Sequence, residues 1–355
     1  MSSDQTEALQ QAVMQANSDG QPLRISGGNT KAFYGRAGSG RRLDVSAHRG
    51  VIRYEPSELF VTVRSGTRVT ELNSLLAEHG QMLPFEPPRF GDAATVGGML
   101  ACGLSGLRRP WSGSLRDTVL GVRCINGRGQ VLRFGGEVVK NVAGFDVSRL
   151  MVGALGTLGV LLDTSIKLLP RPESEQTVVF DAMTPKDLGR ARDWSAHGLP
   201  LSAVVLDRDR LYVRLSGNDA AVRKSVKTLG GSLLSTTAAD SWWRSINEQQ
   251  HEFFADERPL WRLSLPAAAP PVNIIGDWMY DWAGSQRWLK TALQSTIVRE
   301  MAVRAGGHAQ LFRGGDRESL VFPPLPSTLL GVHKALKAAF DPAGILNRGR
   351  LYPEF

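Results

Sequence analysis

Two glycine-bearing stretches carry the pattern best suited to gripping an anion: LRISGGNTK at 23–31 and DAATVGGMLACGLSG at 92–106. Glycine lets the main chain approach a ligand closely and take positive φ, so successive N–H groups can converge on one concavity, and neutral donors of that kind suit a diphosphate. The tight nucleotide fingerprints are missing. Gly38/Gly40 and Gly127/Gly129 begin a Gly-x-Gly, but Leu43 and Leu132 stand where the third glycine of G-x-G-x-x-G belongs, and no Gly-Lys pair exists for a P-loop. A Rossmann-type NAD site and a Walker ATPase are therefore not expected. Metal chemistry is not expected either. The 6 histidines, His48, His79, His197, His251, His308 and His333, contain neither a His-x-His nor a His-Glu-x-x-His pair. The 2 cysteines, Cys102 and Cys124, are too few for an all-cysteine zinc site or an iron–sulfur cluster, each of which takes about four thiolates.

Composition narrows the partners. The 355 residues carry a formal charge of +8, mostly through arginine, with 42% hydrophobic and 21% charged residues, which is a globular rather than a disordered balance. The basic residues are scattered, with no run longer than pairs such as Arg41-Arg42 and Arg108-Arg109, and no helix-turn-helix, zinc-finger or RRM signature accompanies them. An anionic substrate, a partner subunit or acidic lipid is expected, and nucleic acid is not. With so few cysteines the chain reads as reduced and cytoplasmic, with docking at the inner face of the membrane left open. The first residues, MSSDQTEALQQAV, lack a basic n-region, so no secretory signal is expected. The longest apolar run, 150–162, falls short of the ~20 residues of a spanning helix, so no transmembrane segment is expected.

The elements that must position the glycine loops follow from periodicity. A helix is expected at 4–17, strands at 22–26, 42–45, 50–54 and 59–64, a helix at 70–79, then strands at 118–125, 130–134 and 158–169. Pro170-Arg171-Pro172-Glu173 reads as a boundary. Beyond it the order is β-α-β-β-α-β: strand 176–181, helix 185–196, strands 201–207 and 210–215, helix 219–229, strand 231–235. A rougher second copy follows, with strands at 259–265, 277–282 and 286–289, helix 290–304 and strand 307–312. Alternation along 260–265 places Arg262 and Ser264 on one face, and His308 shares a face with Gln310. Trp242, Trp243, Trp278 and Trp282 read as core or as a subunit contact.

Five segments in order resemble the FAD-binding domain of the vanillyl-alcohol-oxidase superfamily, the PCMH type. Ile25-Ser26-Gly27-Gly28-Asn29-Thr30 resembles that family's first diphosphate loop, and Ala94-Thr95-Val96-Gly97-Gly98 with Gly103 and Gly106 the second. Trp111-Ser112-Gly113-Ser114-Leu115-Arg116-Asp117 resembles the segment leading into the next strand. Lys140-Asn141-Val142-Ala143-Gly144-Phe145-Asp146, with the run from Gly153 through Gly156 to Gly159-Val160, resembles the Lys…Gly-(Tyr/Phe)-Asp…Gly-x-x-Gly stretch. Phe340-Asp341-Pro342 with Asn347-Arg348-Gly349-Arg350 resembles the C-terminal Phe-Asp-Pro…Asn-Pro-Gly-(Arg/Lys). The resemblance implies an α+β fold: a two-subdomain FAD-binding domain at 1–170, a ferredoxin-like and duplicated cap at 171–326, and a helix and tail at 327–355 returning to the FAD domain. Within the family, WRLSLP at 261–266, DWMYDWAGSQRWL at 277–289 and GGHAQLFR at 306–313 look like the FAD-binding E subunits of bacterial glycolate oxidases.

That resemblance carries further expectations. FAD would be held by Ile25, Ser26, Gly27, Gly28, Asn29, Thr30, Ala94, Thr95, Val96, Gly97, Gly98, Gly103, Gly106, Gly113, Ser114, Gly159, Val160 and Asn347, with N–H groups of 26–30 and 95–98 around the diphosphate, and Lys140 would serve the flavin. Asn29 stands where covalently flavinylated members carry histidine, so the FAD should be non-covalent; Arg348 replaces the usual proline. The His-x-His cap signature of 2-hydroxy-acid-oxidising members is missing, which leaves Arg262 as the candidate cation for a substrate carboxylate and His308 as the candidate base. The expected function is that of an FAD subunit in a glycolate (2-hydroxy acid) oxidase or dehydrogenase of glyoxylate metabolism. Its partners would be a homologous larger FAD subunit and an iron–sulfur subunit. A self-sufficient FAD oxidase of another alcohol and a flavin-binding structural subunit without turnover stay open as alternatives.

Overall fold

The computed structural model describes residues 3–136 and 145–355. The chain divides into two compact units. The first comprises Met1–Ser105, Ser114–Pro170 and Arg317–Phe355; the second comprises Gly106–Gly113 and Arg171–Asp316. The short excursion 106–113 thus leaves the first unit, and the C-terminal return begins ten residues before the expected position, at Arg317.

In the first unit, helix α1 (Thr6–Ser18) buries Leu9, Val13 and Ala16, one stripe at i, i+4, i+7. That stripe packs with Leu23, Leu43, Ile345 and Leu346 around two short parallel strands, β1 (Leu23–Ser26) and β2 (Arg41–Asp44). The helix start is tied down by buried His48, whose Nδ1 accepts the Gln5 N–H at 3.0 Å. Strands β3 (Val51–Glu55), β4 (Phe60–Arg64), β6 (Val119–Ile125), β7 (Val131–Gly135) and β8 (Val160–Lys167) form an antiparallel sheet in the order β3-β4-β8-β6-β7. The short strands β5 (Gln81–Met82) and β9 (Leu169–Pro170) pair separately. Helices α2 (Val69–Glu78) and α3 (Val96–Cys102) contribute Leu72, Leu76, Met99 and Leu100 to the main core of this unit. Helix α3 lies inside the glycine-dense stretch that the sequence marks only as a loop. Thr95 caps it, accepting the Gly98 N–H at 3.2 Å, and a Cβ on Gly97 would stand 2.7 Å from the Ser65 Cβ.

The second unit is built on one antiparallel sheet. Its strands are β10 (Ser174–Phe180), β11 (Leu201–Asp207), β12 (Arg210–Gly217), β13 (Ser232–Leu234), β14 (Leu260–Ser264), β15 (Asp277–Asp281), β16 (Gln286–Lys290) and β17 (His308–Arg313), in the order β13-β10-β12-β11-β15-β16-β14-β17. Each half follows the same plan, fourth strand, first, third, second, as in a ferredoxin-like unit, and the two second strands, β11 and β15, join the halves. Only the first half has both crossover helices, Gly189–Ala196 and Asp219–Leu229. Where the second half would place its first helix, Pro266, Pro270 and Pro271 forbid one, and buried Arg287 gathers the segment by donating to the carbonyls of Ala269, Pro270 (2.7 Å) and Gly284 (3.1 Å).

Two expectations are corrected in this unit. The helix expected at 290–304 begins only at Ser295, because Lys290 ends β16, buried to 1% exposure with its Nζ 3.2 Å from Asp256 Oδ1 and donating to the Asp256 carbonyl. An unanticipated helix, Thr236–Asn247, covers part of the sheet: Ser235 caps it, Ala239, Trp243 and Ile246 are buried, and Trp243 Nε1 donates to Thr177 Oγ1 at 2.8 Å. Among the described residues no helix is long and apolar enough to cross a membrane.

Candidate cofactor site

The first unit contains an open cleft lined by both glycine-bearing loops. Of the residues singled out from sequence, Ile25, Ser26, Gly27, Gly28, Asn29, Thr30, Thr95, Gly97, Gly98, Gly159 and Asn347 line it together. Ala94, Val96 and Val160 lie behind that lining as buried core, and Gly103, at φ +63°, closes helix α3. Gly106 and Gly113 fall in the second unit, while Ser114 forms a capping box with Asp117; none of the three lines the cleft. Lys140 lies outside the described residues. The sequence reading missed Lys31, Ser65, Cys102, Leu155, Gly156 and Arg350, all of which contribute to the wall. All of these but Ser65 stood inside stretches already quoted, so proximity to those motifs was the available signal.

The two glycine loops do different work. The N–H groups of Gly27, Gly28, Asn29 and Thr30 donate to no acceptor among the described residues. Asn29 sits at φ +59°, a turn of the chain that asparagine tolerates. The second loop corrects the expectation that its amides face a diphosphate. Val96 N–H donates to Thr67 O (2.9 Å), Gly97 N–H to Ser65 O (2.7 Å) and Gly98 N–H to Thr95 Oγ1 (3.2 Å), so three of the four groups of 95–98 are already engaged. This loop instead presses against the first. A Cβ on Gly28 would stand 1.5 Å from the Ala93 carbonyl oxygen, and one on Gly27 would stand 2.4 Å from Thr95 Oγ1.

Charge in the cleft has one sign. Lys31 is 8% exposed, with Nζ 3.1 Å from the Arg89 carbonyl, and Arg350 donates to the carbonyls of Ala32 (2.9 Å), Tyr34 (2.7 Å) and Arg36 (2.6 Å). Burial pushes the Arg350 pKa below its ordinary value. No carboxylate lines the cleft among the described residues. Ser65, 2% exposed, places a buried Oγ in this wall without a hydrogen-bond partner among the described residues. Burial raises the Cys102 thiol pKa, keeping it protonated. Four open amides, an unsatisfied hydroxyl, two cations and glycines at the contact between the loops together fit an anionic dinucleotide.

In the second unit, Arg262 of β14 faces Trp288 of β16 and Gln310 of β17, while Ser264 faces His308. Arg262 Nη2 donates to Gln310 Oε1 at 2.9 Å, and its guanidinium lies 6.0 Å from the Phe312 ring centroid. Its Nε is buried and has no partner among the described residues, a donor left for a ligand atom. His308 opens β17, and partial burial together with the Arg262 cation holds its pKa below the usual 6.5. The strand alternation therefore brings the two sequence candidates to one face, with Gln310 fixing the arginine.

A cleft of this kind places the chain among flavoproteins built on an FAD-binding domain. The family model described as FAD binding domain matches residues 3–135, and FAD is the cofactor. The chain belongs to the glycolate oxidase subunit GlcE family: it is 45% identical over 351 residues to glycolate oxidase subunit GlcE of Escherichia coli (strain K12), covering 99% of this chain and 98% of that protein. It is also 23% identical to glycolate oxidase subunit GlcD of Bacillus subtilis (strain 168), across 85% of this chain and 77% of that protein. The solved structures of alkyldihydroxyacetonephosphate synthase share the fold, with TM-scores of 0.67 and 0.68 at 14% identity, covering 96% of this chain and 74% and 75% of theirs.

Proposed function

We propose that the chain is the non-covalent FAD-binding subunit of a glycolate (2-hydroxy acid) oxidase, an oxidoreductase acting on a CH–OH group. The observation that carries the placement of the cofactor is the run of four open amides at Gly27, Gly28, Asn29 and Thr30 in a cleft without carboxylates. These amides receive the diphosphate, with Lys31 and Arg350 supplying positive charge and Ser65 a hydroxyl. The first unit is the FAD-binding domain, and the second is the cap. Bound FAD supplies the two-electron acceptor that amino-acid side chains lack. Arg262 is the side chain suited to a substrate carboxylate, its unsatisfied Nε matching the planar, two-point recognition that guanidinium gives. His308, neutral at pH 7 because its pKa is lowered, is suited to take the hydroxyl proton.

The names of the two relatives, subunits GlcE and GlcD, support assembly with a homologous flavoprotein subunit. With only 2 cysteines the chain cannot itself hold an iron–sulfur cluster, so onward electron transfer falls to a separate iron–sulfur subunit. We place the assembly in the cytoplasm, its basic surface suited to acidic lipid at the membrane face. Expression of the partner subunits with and without this chain tests the assignment: glycolate-dependent reduction of an artificial electron acceptor should require it, and full activity in its absence would refute the assignment.

Two further results are expected. Asn29 offers no nucleophile for a flavin bond, and Cys102 is a protonated thiol, so acid precipitation should release all yellow colour into the supernatant. Flavin fluorescence on the denatured polypeptide band would contradict this. If His308 is the base, the pH at which flavin reduction falls to half its plateau should lie below 6.5, because the lowered pKa keeps the ring unprotonated to more acid pH. A half-maximum above pH 7 would contradict the assignment.

A further inference from the structure

Part of the cleft wall is built by Asn347 and Arg350. Asn347, 7% exposed and at φ +41°, bridges two of its walls: Oδ1 accepts the Ile25 N–H at 2.7 Å, and Nδ2 donates to the Leu155 carbonyl at 2.5 Å. Its own N–H donates to Leu23 O at 3.0 Å. The Leu155 side is shaped for this amide, since a Cβ on Gly156 would stand 2.7 Å from Asn347 Nδ2. Three residues on, Arg350 clasps the loop that follows the open amides through the carbonyls of Ala32, Tyr34 and Arg36, and Arg36 answers by donating its N–H to Arg350 O (2.9 Å) and its Nε to Gly349 O (2.9 Å).

The segment is anchored at its base by a buried ion pair. Lys337, 5% exposed, is the only buried residue of the helix Ser327–Phe340. Its Nζ donates to Asp341 Oδ2 (2.6 Å), Thr157 O (2.7 Å) and Leu346 O (2.7 Å). Asp341 in turn accepts the N–H groups of Ile345 (3.2 Å) and Leu346 (2.7 Å). The turn 341–347 is therefore fixed from within, whereas 347–350 is fixed by the loops that line the cleft.

From this geometry we infer that FAD occupancy and docking of the C-terminal segment 343–355 are one coupled equilibrium, with Asn347 and Arg350 as positioning residues that hold the cofactor walls together. The inference rests on the placement of FAD in this cleft. A ligand that binds only the assembled cleft stabilises whatever assembles it, so FAD should tighten the tail, and loosening the tail should weaken FAD. Coupling of this kind lets the tail control cofactor retention without touching the reacting atoms.

The test compares the full-length wild type with Asn347→Asp and Asn347→Gln, the aspartate being nearly isosteric but unable to donate to Leu155 O. Asn347→Asp should weaken FAD binding by about 10–100-fold, the scale of leaving a buried acceptor opposite a carboxylate. Amide hydrogen exchange supplies the readout that a merely structural tail would not move. In the wild type, residues 343–355 should exchange more slowly with FAD than without it, and in Asn347→Asp, at an FAD concentration that saturates only the wild type, the protection should be lost. Equal tail protection with and without FAD, or unchanged FAD affinity in Asn347→Asp, would overturn the coupling while leaving the cofactor assignment intact. Failure of the wild type to bind FAD would instead refute the placement on which the coupling rests.

Discussion

Gly28→Ala should yield a chain that no longer retains FAD. The added methyl would stand 1.5 Å from the Ala93 carbonyl oxygen, far inside van der Waals contact, and that neighbour is backbone rather than a side chain able to swing away. The loops at 26–31 and 92–98 must separate, which disperses the four open amides and moves Thr95 and Gly97 from the wall. Overpacking of a tight contact costs about 1–3 kcal/mol, and a backbone neighbour puts this one at the upper end or beyond, so FAD affinity should fall by about 100-fold or more. Gly331→Ala is the matched control. It lies in the C-terminal helix with nothing within 4 Å of the added Cβ, and it should be neutral or stabilise by about 0.5–1 kcal/mol. Wild-type flavin content in purified Gly28→Ala would refute the contact between the loops as the basis of the cleft.

The second large effect is expected in the second unit. Arg262→Met keeps the stem that packs near Phe312 but removes the cation and its hydrogen bond to Gln310 Oε1. Glycolate should then bind far more weakly, while FAD content stays at the wild-type level. His308→Ala should slow flavin reduction by about 10²–10⁴-fold, the usual contribution of a positioned base. Stopped-flow reduction under anaerobic conditions separates the two, because the arginine should raise the glycolate concentration needed and the histidine should lower the limiting rate. Turnover within a few-fold of wild type for both variants in the assembled complex would favour the other reading, a flavin-binding support subunit. The missing His-x-His signature is the observation on that side.

Much of the cleft wall was legible because it is contiguous. Residues 25–30 follow a strand and line the cleft as a run, and glycine at 27 and 28 is required by an approach so close that no Cβ fits. The division of labour between the two loops was not legible. Whether an amide at 96 or 97 is open depends on the carbonyls of Thr67 and Ser65, some thirty residues earlier, and nothing near 95–98 announces that pairing. Ser65 itself gave no signal, since its role comes only from burial beside Gly97. Asn347 was readable from its motif, but its two-sided bridge between Ile25 and Leu155 belongs to tertiary structure. In the second unit, the repeated strand plan could be followed despite the lost helix, because alternation survives in 260–264. The helix Thr236–Asn247 escaped because its Ala239, Trp243, Ile246 stripe stands between polar residues that read as a connection.

The most direct test is the flavin content of the purified full-length chain, followed by titration of the stripped protein with FAD. One FAD per chain, released intact by acid and taken up again by the stripped protein, is the predicted result, with Gly28→Ala failing to take it up. A colourless chain whose absorbance and fluorescence do not respond to added FAD would contradict the account at its centre.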